Sequence, residues 1–369
     1  MHKQALILVQ QGPVHYHPRR KPMHCPECER IKALVHPANR LLLSPPTSHT
    51  RQKLLDIATR RHLTVIPVDD PACLDIRLSR ADMDPFLTET NGALSQEETD
   101  HCRALLLDGD KEPSLSDYLS TRTLRWLIAA VKGQWLVTML ENDRLFSMLQ
   151  PICRPDGSIF GYEALLRGRE ADGDIVSAGS LLSVAAETQL MFTLDLAARR
   201  EAIKAFAKKR ANGAKLFVNF NPSSIYDPAY CLRTTQTFVR ELGLTPADIV
   251  FEVTETAEVK DQAHLRGILA FYRQSGFRVA LDDIGAGFSG LNMLQELRPD
   301  YVKIDMALIR GIDQDHYKQS IVRHLVGIAG ETGARIVAEG IETEAERGWV
   351  REAGADLLQG YLLGRPAPV

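Results

Sequence analysis

Four short segments in order decide the fold: IVFEVTE (249–255), RVALDDIG (278–285), YVKIDMALI (301–309) and RIVAEGIE (335–342). Each is an apolar run of strand length. The stretches between them, 262–275, 291–297 and 317–332, carry helical periodicity. Strands that alternate with amphipathic helices predict a parallel sheet with helical crossovers. Working outward, the same alternation gives a helix over 181–209, a strand LFVNFNP (216–222), helices over 230–242 and 344–352, and a last strand DLLQGYLLG (356–364). Upstream, LFSMLQPICR (145–154) and SIFGYEALLR (158–167) flank Pro155-Asp156-Gly157. Asp-Gly between apolar runs is a hairpin signal, so these two strands should be antiparallel. The sum is an α/β chain, a (β/α)8 TIM-like barrel with one antiparallel strand. An open doubly wound sheet is the alternative.

Barrel strands should be nearly continuous apolar runs, yet polar residues recur at or near their C-terminal ends. They are Glu163, Asn219, Glu252, Asp282, Asp283, Lys303, Asp305, Glu339 and Gln359. Singly, each has an ordinary reading: a satisfied core amide at Asn219, a paired carboxylate at Glu252, turn chemistry at Asp282-Asp283, or a Lys303 ion pair with Asp305 or Asp282. Together, on seven strands at one end, they include a ring of carboxylates that repel one another and are costly to bury. A cation at the centre resolves the conflict. Donors that are all oxygen, with no Cys or His, point to Mg²⁺ or Mn²⁺. Adjacent Asp282 and Asp283 suggest two ions, as in two-metal phosphoryl transfer. The C-terminal mouth of a barrel is also where active sites form.

The totals agree with an ordinary globular protein. Of 369 residues, 44% are hydrophobic and 25% charged, and the formal net charge is −3, which argues against a binder of nucleic-acid polymers. The most apolar stretch, 124–140, is broken by Arg125, Lys132, Gly133 and Gln134, so a buried helix followed by a strand is expected there rather than a membrane span. The opening MHKQALILVQQG has too short an apolar run for a secretory signal. Six cysteines in this length do not make a disulfide scaffold. A cytoplasmic protein is expected.

Over about residues 145–369 the motifs resemble those of the EAL-domain cyclic di-GMP (c-di-GMP) phosphodiesterases. Glu163-Ala164-Leu165 spells the family tripeptide inside QPI…GYEALLRG, and VNFNPSS, FEVTET, LDDIGAGFSGL, DYVKID, AEGIET and QGYLLGRP follow in family order. The resemblance implies hydrolysis of c-di-GMP to linear pGpG in bacterial second-messenger signalling. It assigns one metal to Glu163, Asn219, Glu252 and Asp282, and a second to Asp282, Asp283 and Glu339. Lys303 and Gln359 would contact the catalytic water, and Glu342 would support the site from behind. Gln150, Leu165 and Arg167 match substrate-touching positions. Glu255 matches a glutamate that holds the loop after Asp283, a loop that in the family also forms the homodimer contact. Ile284 and Ala286 stand where the family usually has Phe and Thr, and Leu363 replaces a common aromatic. The alternative from another class is a c-di-GMP receptor without turnover. Such receptors usually lack metal ligands, and every ligand position is filled here.

Residues 1–140 resemble nothing named. ANRLLLSPP, a helix near 49–61 and LTVIPVDD suggest a small α/β module that senses a signal or partner, and 115–131 reads as one amphipathic helix leading into a barrel domain at 141–369. Cys25 and Cys28 form a single C-x-x-C, with His15, His17, His24 and His36 close by. A structural Zn²⁺ site, a redox pair and inert thiols are all compatible with that spacing. No GGDEF-like cyclase motif occurs.

Overall fold

The computed structural model describes residues 39–110, 112–209, 213–222, 225, 228–254, 262–287 and 290–369. Cys25, Cys28, the four N-terminal histidines and Glu255 lie outside the described residues. Residues 37–369 form one compact unit.

That unit holds two sheets. The first contains β1 (Arg40–Ser44), β2 (Thr64–Ile66), β3 (Leu74–Arg77), β4 (Arg103–Leu107) and β5 (Arg122–Thr123), in the order β2-β3-β1-β4-β5. All its pairings are antiparallel. Leu41 and Leu43 alternate with Arg40 and Leu42 along β1, and they pack with Leu54, Ile57, Phe86, Leu124 and Leu127 from the helices in one buried cluster. On the other face Arg40 forms a buried ion pair with Asp75.

The second sheet is the barrel. Its strands are β6 (Leu145–Cys153), β7 (Ile159–Arg169), β8 (Ile175–Val176), β9 (Lys215–Asn219), β10 (Ile249–Thr254), β11 (Arg278–Ile284), β12 (Tyr301–Ile304), β13 (Arg335–Ala338) and β14 (Leu357–Leu358). The ring runs β6-β14-β13-β12-β11-β10-β9-β7 and closes through β6–β7, with β8 paired outside on β7. Closure excludes the open doubly wound sheet. Strand β6 is antiparallel to both neighbours, and the rest of the ring is parallel. The β6–β7 turn forms because Gly157 takes φ 88°, a left-handed conformation that suits glycine, while Asp156 Oδ1 accepts the Ser158 N–H at 2.8 Å.

The period of two along each strand builds the site. Ile152, Phe217, Val250, Ala280, Tyr301, Val337 and Leu357 meet in one buried apolar floor, joined by Phe160. Two residues further toward the C-terminal mouth stand Asn219, Glu252, Asp282, Lys303, Glu339 and Gln359. Two residues back along the reversed β6 stands Gln150, paired across the ladder with Glu163. Each of the other strands of the ring thus carries an apolar side chain into the floor and a polar one into the layer above it, while on β7 a register slip beside Ile152 places Phe160 three residues before Glu163.

Five sequence expectations change, one of them the last strand over 356–364, which ends at Leu358. The strand expected over 301–309 stops at Ile304, because Asp305 caps a short helix, Met306–Ile309, accepting the Ala307 N–H at 2.8 Å. The single helix over 181–209 is two, Ala178–Thr188 and Met191–Lys209, separated where Gln189 takes φ 61°. The helix over 115–131 is also divided, into Leu115–Leu119 and Leu124–Lys132, with Thr123 capping the second. The expected helix and strand over 124–140 are two helices, Leu124–Lys132 and Gln134–Glu141.

Candidate active site

Lys303 occupies the centre of the polar layer, with its side chain 1% exposed. Its Nζ lies 2.7 Å from Glu339 Oε1, 2.8 Å from Glu252 Oε1, 2.9 Å from Asp282 Oδ1 and 3.5 Å from Glu163 Oε2. Burial alone would lower its pKa. The four carboxylates, Asp282 foremost, overcome that and hold it well above the ordinary lysine value, so it remains an ammonium. Lys303 pairs with Asp282, as one ordinary reading allowed, but not with Asp305, which is spent as a helix cap.

One ammonium does not satisfy five carboxylates. Burial raises the Glu252 and Glu339 carboxyls well above the usual range, and Lys303 only partly offsets it. Asp283 is pushed up to about 6 by burial and by the neighbouring Asp282. Neither oxygen of Glu252 receives a well-aligned hydrogen bond from the described residues, although Lys303 is in charge contact with Oε1. The side-chain oxygens of Glu163, Glu252 and Asp282 converge within 4.8 Å, as do those of Asp282, Asp283 and Glu339. These two clusters share Asp282, and their donors are all oxygen. The set fits hard divalent cations.

Asp282 and Asp283 serve one mouth only because the backbone bends. Consecutive residues of a regular strand point to opposite faces. Here Asp283 takes φ 58°, and the β11–β12 register slips between Leu281 and Ile284. The irregularity turns both carboxylates to the same side.

The amides complete the layer. Gln359 Nε2 donates to Glu163 Oε2 at 2.6 Å and to Gln150 Oε1 at 3.3 Å, and Asn219 Nδ2 donates to Glu163 Oε1 at 3.3 Å. The Gln359 Oε1 is buried and accepts no hydrogen bond from the described residues, so it is available to a ligand or a water.

A cleft of about 430 Å³ opens above this layer, a size suited to small ligands. It brings together Gln150, Glu163, Asn219, Asp282, Asp283, Lys303, Glu339, Glu342 and Gln359. Glu252 lies beneath it, fully buried. Leu165 and Arg167 do not line it. They lie two and four residues beyond Glu163 on the same face of β7, opposite Met148 and Phe146. The Arg167 Nη1 donates to the Leu166 carbonyl at 2.6 Å.

The sequence reading missed Arg310 and Tyr361, which also line the cleft. Arg310 pairs with Glu342, and Arg365 stacks over the Tyr361 ring at 4.3 Å. Glu346 brings Arg310 and Glu342 together. Its buried carboxylate accepts the Gly311 N–H at 2.8 Å and the Glu342 N–H at 2.9 Å, and forms a capping box with Thr343. Burial pushes its pKa up, but these backbone bonds outweigh it and the net shift is down. A Thr-x-x-Glu spacing at 343–346 was the available signal. Gly340, at φ 68°, lets the Met306 side chain close against the backbone, since a Cβ there would lie 2.2 Å from Met306 Cβ.

The family model for the EAL domain matches residues 134–366. The chain belongs to the EAL-domain family. A cyclic di-GMP phosphodiesterase of Escherichia coli (strain K12), PdeF, is 28% identical over 62% of this chain and 31% of its own. The chain spans less than half the length of the first curated relatives it matches. A standalone EAL protein from Vibrio cholerae O395, solved in a c-di-GMP-bound form, is 36% identical, with a TM-score of 0.54 over 60% of this chain and 92% of that one. The Klebsiella pneumoniae protein BlrP1, in a manganese and c-di-GMP complex, matches 89% of this chain and 96% of that one at 22% identity and a TM-score of 0.55. That last likeness is one of fold, and its coverage extends it ahead of the EAL domain.

Proposed function

We propose that the chain is a divalent-cation-dependent phosphodiesterase that opens one phosphodiester of c-di-GMP to give linear pGpG in bacterial second-messenger signalling. The observation that carries this is the pair of carboxylate clusters sharing Asp282 at the mouth of an EAL barrel. Glu163, Asn219, Glu252 and Asp282 would hold one Mg²⁺ or Mn²⁺, and Asp282, Asp283 and Glu339 the other. When bound, such ions supply positive charge to the phosphodiester oxygens and make water a usable nucleophile near neutral pH.

The remaining steps belong to the chain's own residues. Lys303 keeps its proton and provides a fixed positive charge beneath the reacting phosphate. The Gln359 Oε1 would accept a hydrogen bond from the attacking water and orient it, while its Nε2 holds Glu163. Gln150, Leu165 and Arg167, on the two antiparallel strands, hold the dinucleotide, Arg167 by pairing with a phosphate. Glu342 supports the rim, and Glu255 would hold the loop after Asp283.

We extend the proposal to assembly and control. Tyr317, Ile321 and Ile328 form an exposed apolar stripe on the helix His316–Thr332, which suits a homodimer contact through the barrel. Residues 1–140 would regulate a catalytic domain at 141–369. Gly133 sits so close to Val184 and Thr188 that a Cβ would lie 2.6 Å from Val184 Cγ1, which gives a packed route between the two. Among the described residues no helix is long and apolar enough to cross a membrane.

Chromatographic analysis of c-di-GMP incubated with the full chain tests the proposal. Conversion to pGpG with Mg²⁺ or Mn²⁺, and none in EDTA, is expected. Tight c-di-GMP binding without product in either metal would instead establish a receptor.

A further inference from the structure

We infer that Arg310 binds substrate, exchanging Glu342 for the second, non-reacting phosphodiester of the cyclic dinucleotide. The inference rests on the phosphodiesterase reading above and adds a specificity residue to it.

The cleft is acidic, and its occupant would carry two negative charges. Among the described residues that line it, the cations are Lys303 and Arg310. Lys303 is enclosed by four carboxylates and cannot reach beyond them. The Arg310 side chain is 49% exposed at the rim.

Its backbone is held while its side chain is free to exchange. Glu346 fixes the Gly311 and Glu342 N–H groups, and Lys318 Nζ donates to the Arg310 carbonyl at 2.7 Å. The guanidinium itself pairs with Glu342, whose side chain is 42% exposed. An ion pair so open to water is weak. A phosphodiester offers the same planar fork two oxygens in place of the carboxylate.

Position supports the assignment. Strand β12, which leads into Arg310, stands four places from β7 in the eight-strand ring, on the opposite side of the mouth. Arg167 rises from β7. A cyclic dinucleotide with one phosphate over the carboxylate layer would therefore find Arg310 on the wall of the cleft opposite β7, where its second phosphate can reach. A substrate with a single phosphate has no second anion for Arg310 to hold.

Steady-state kinetics of the full chain in Mn²⁺ test this with two substrates, c-di-GMP and bis(p-nitrophenyl) phosphate. Loss of one charge-assisted contact should raise KM for c-di-GMP about tenfold in Arg310→Ala, with kcat within about twofold. Arg310→Lys should recover part of the loss, and hydrolysis of the small diester should be unchanged. An unaltered KM for c-di-GMP overturns the inference. So does an equal loss on both substrates, because Arg310 would then act through Glu342 on the centre itself. Should the wild type turn over no c-di-GMP, the phosphodiesterase reading fails separately, and calorimetric binding of c-di-GMP decides. Roughly tenfold weaker binding by Arg310→Ala supports the inference; equal affinity, or no binding by the wild type, overturns it.

Discussion

Lys303 Nζ lies 2.8 Å from Glu252 Oε1, and neither side chain reaches solvent. This is the floor contact of the polar layer, directly above the apolar cluster that includes Tyr301 and Val250. A buried charge that loses its partner is strongly destabilising. Lys303→Met should therefore lower the unfolding free energy in EDTA by about 3–5 kcal/mol, measured with urea. Divalent cations should restore more stability to this variant than to the wild type. Unchanged stability in EDTA would mean that the carboxylates are neutral without help from Lys303.

Asp283 separates backbone from charge. Its left-handed φ of 58° suits Asn nearly as well as Asp and suits Ala poorly. Asp283→Asn also removes one of the repelling carboxylates. The Asn variant should match or exceed the wild type in stability in EDTA, and the Ala variant should be about 1 kcal/mol less stable than Asn. Mn²⁺ affinity should fall in both. Equal stability of Asn and Ala would show that the backbone there carries no strain.

Calcium should bind without supporting turnover. Its larger radius and looser geometry do not suit two ions sharing one carboxylate such as Asp282. Adding Ca²⁺ to a Mn²⁺ assay should inhibit, and full activity in Ca²⁺ alone would contradict the two-ion arrangement.

The first sheet has its own acid-sensitive clasp. Glu98 caps the Gln96–His101 helix through the Ser95 N–H at 2.8 Å and accepts from Thr50 and Lys53. The Ser95 backbone bond is the main cause of its pKa falling to about 2. A carboxylate depressed from about 4.3 in the unfolded chain stabilises the fold above that pH. The contribution is then lost as pH falls through about 2. Glu98→Gln should cost about 1 kcal/mol at pH 7. It should also flatten the stability profile between those two values in urea titrations. An identical acid profile in the variant would remove Glu98 from the account.

Much of this was legible in the residues, for physical reasons that can be named. A period of two along strands, with one polar residue two positions past an apolar one, is a local pattern, so Glu252, Asp282 and Lys303 stand out in the sequence. The Asp156-Gly157 turn fixed the reversed strand in the same way. What failed to show depends partly on non-local contacts and partly on local breaks that composition does not mark. MALI after Asp305 continues the apolar run of β12, but its Met, Ala and Leu favour helix and the Asp305 cap starts one. Strand β14 ends after Leu358 because the chain then turns, with Leu362 N–H bonding back to Ile341. Gln189 breaks a long helix without a Gly or Pro to mark the break. Arg310 follows a short helix, and the Glu346 and Lys318 contacts that hold it at the cleft reach across from other segments.

The central claim is that the carboxylate layer is a two-cation centre with Asp282 shared, and calorimetric titration of metal-free protein with Mn²⁺ tests it most directly. The account predicts two ions per wild-type chain, one in Asp283→Asn, and the loss or severe weakening of both in Asp282→Asn. A wild type that binds none, or an Asp282→Asn variant that still binds two with undiminished affinity, would contradict it.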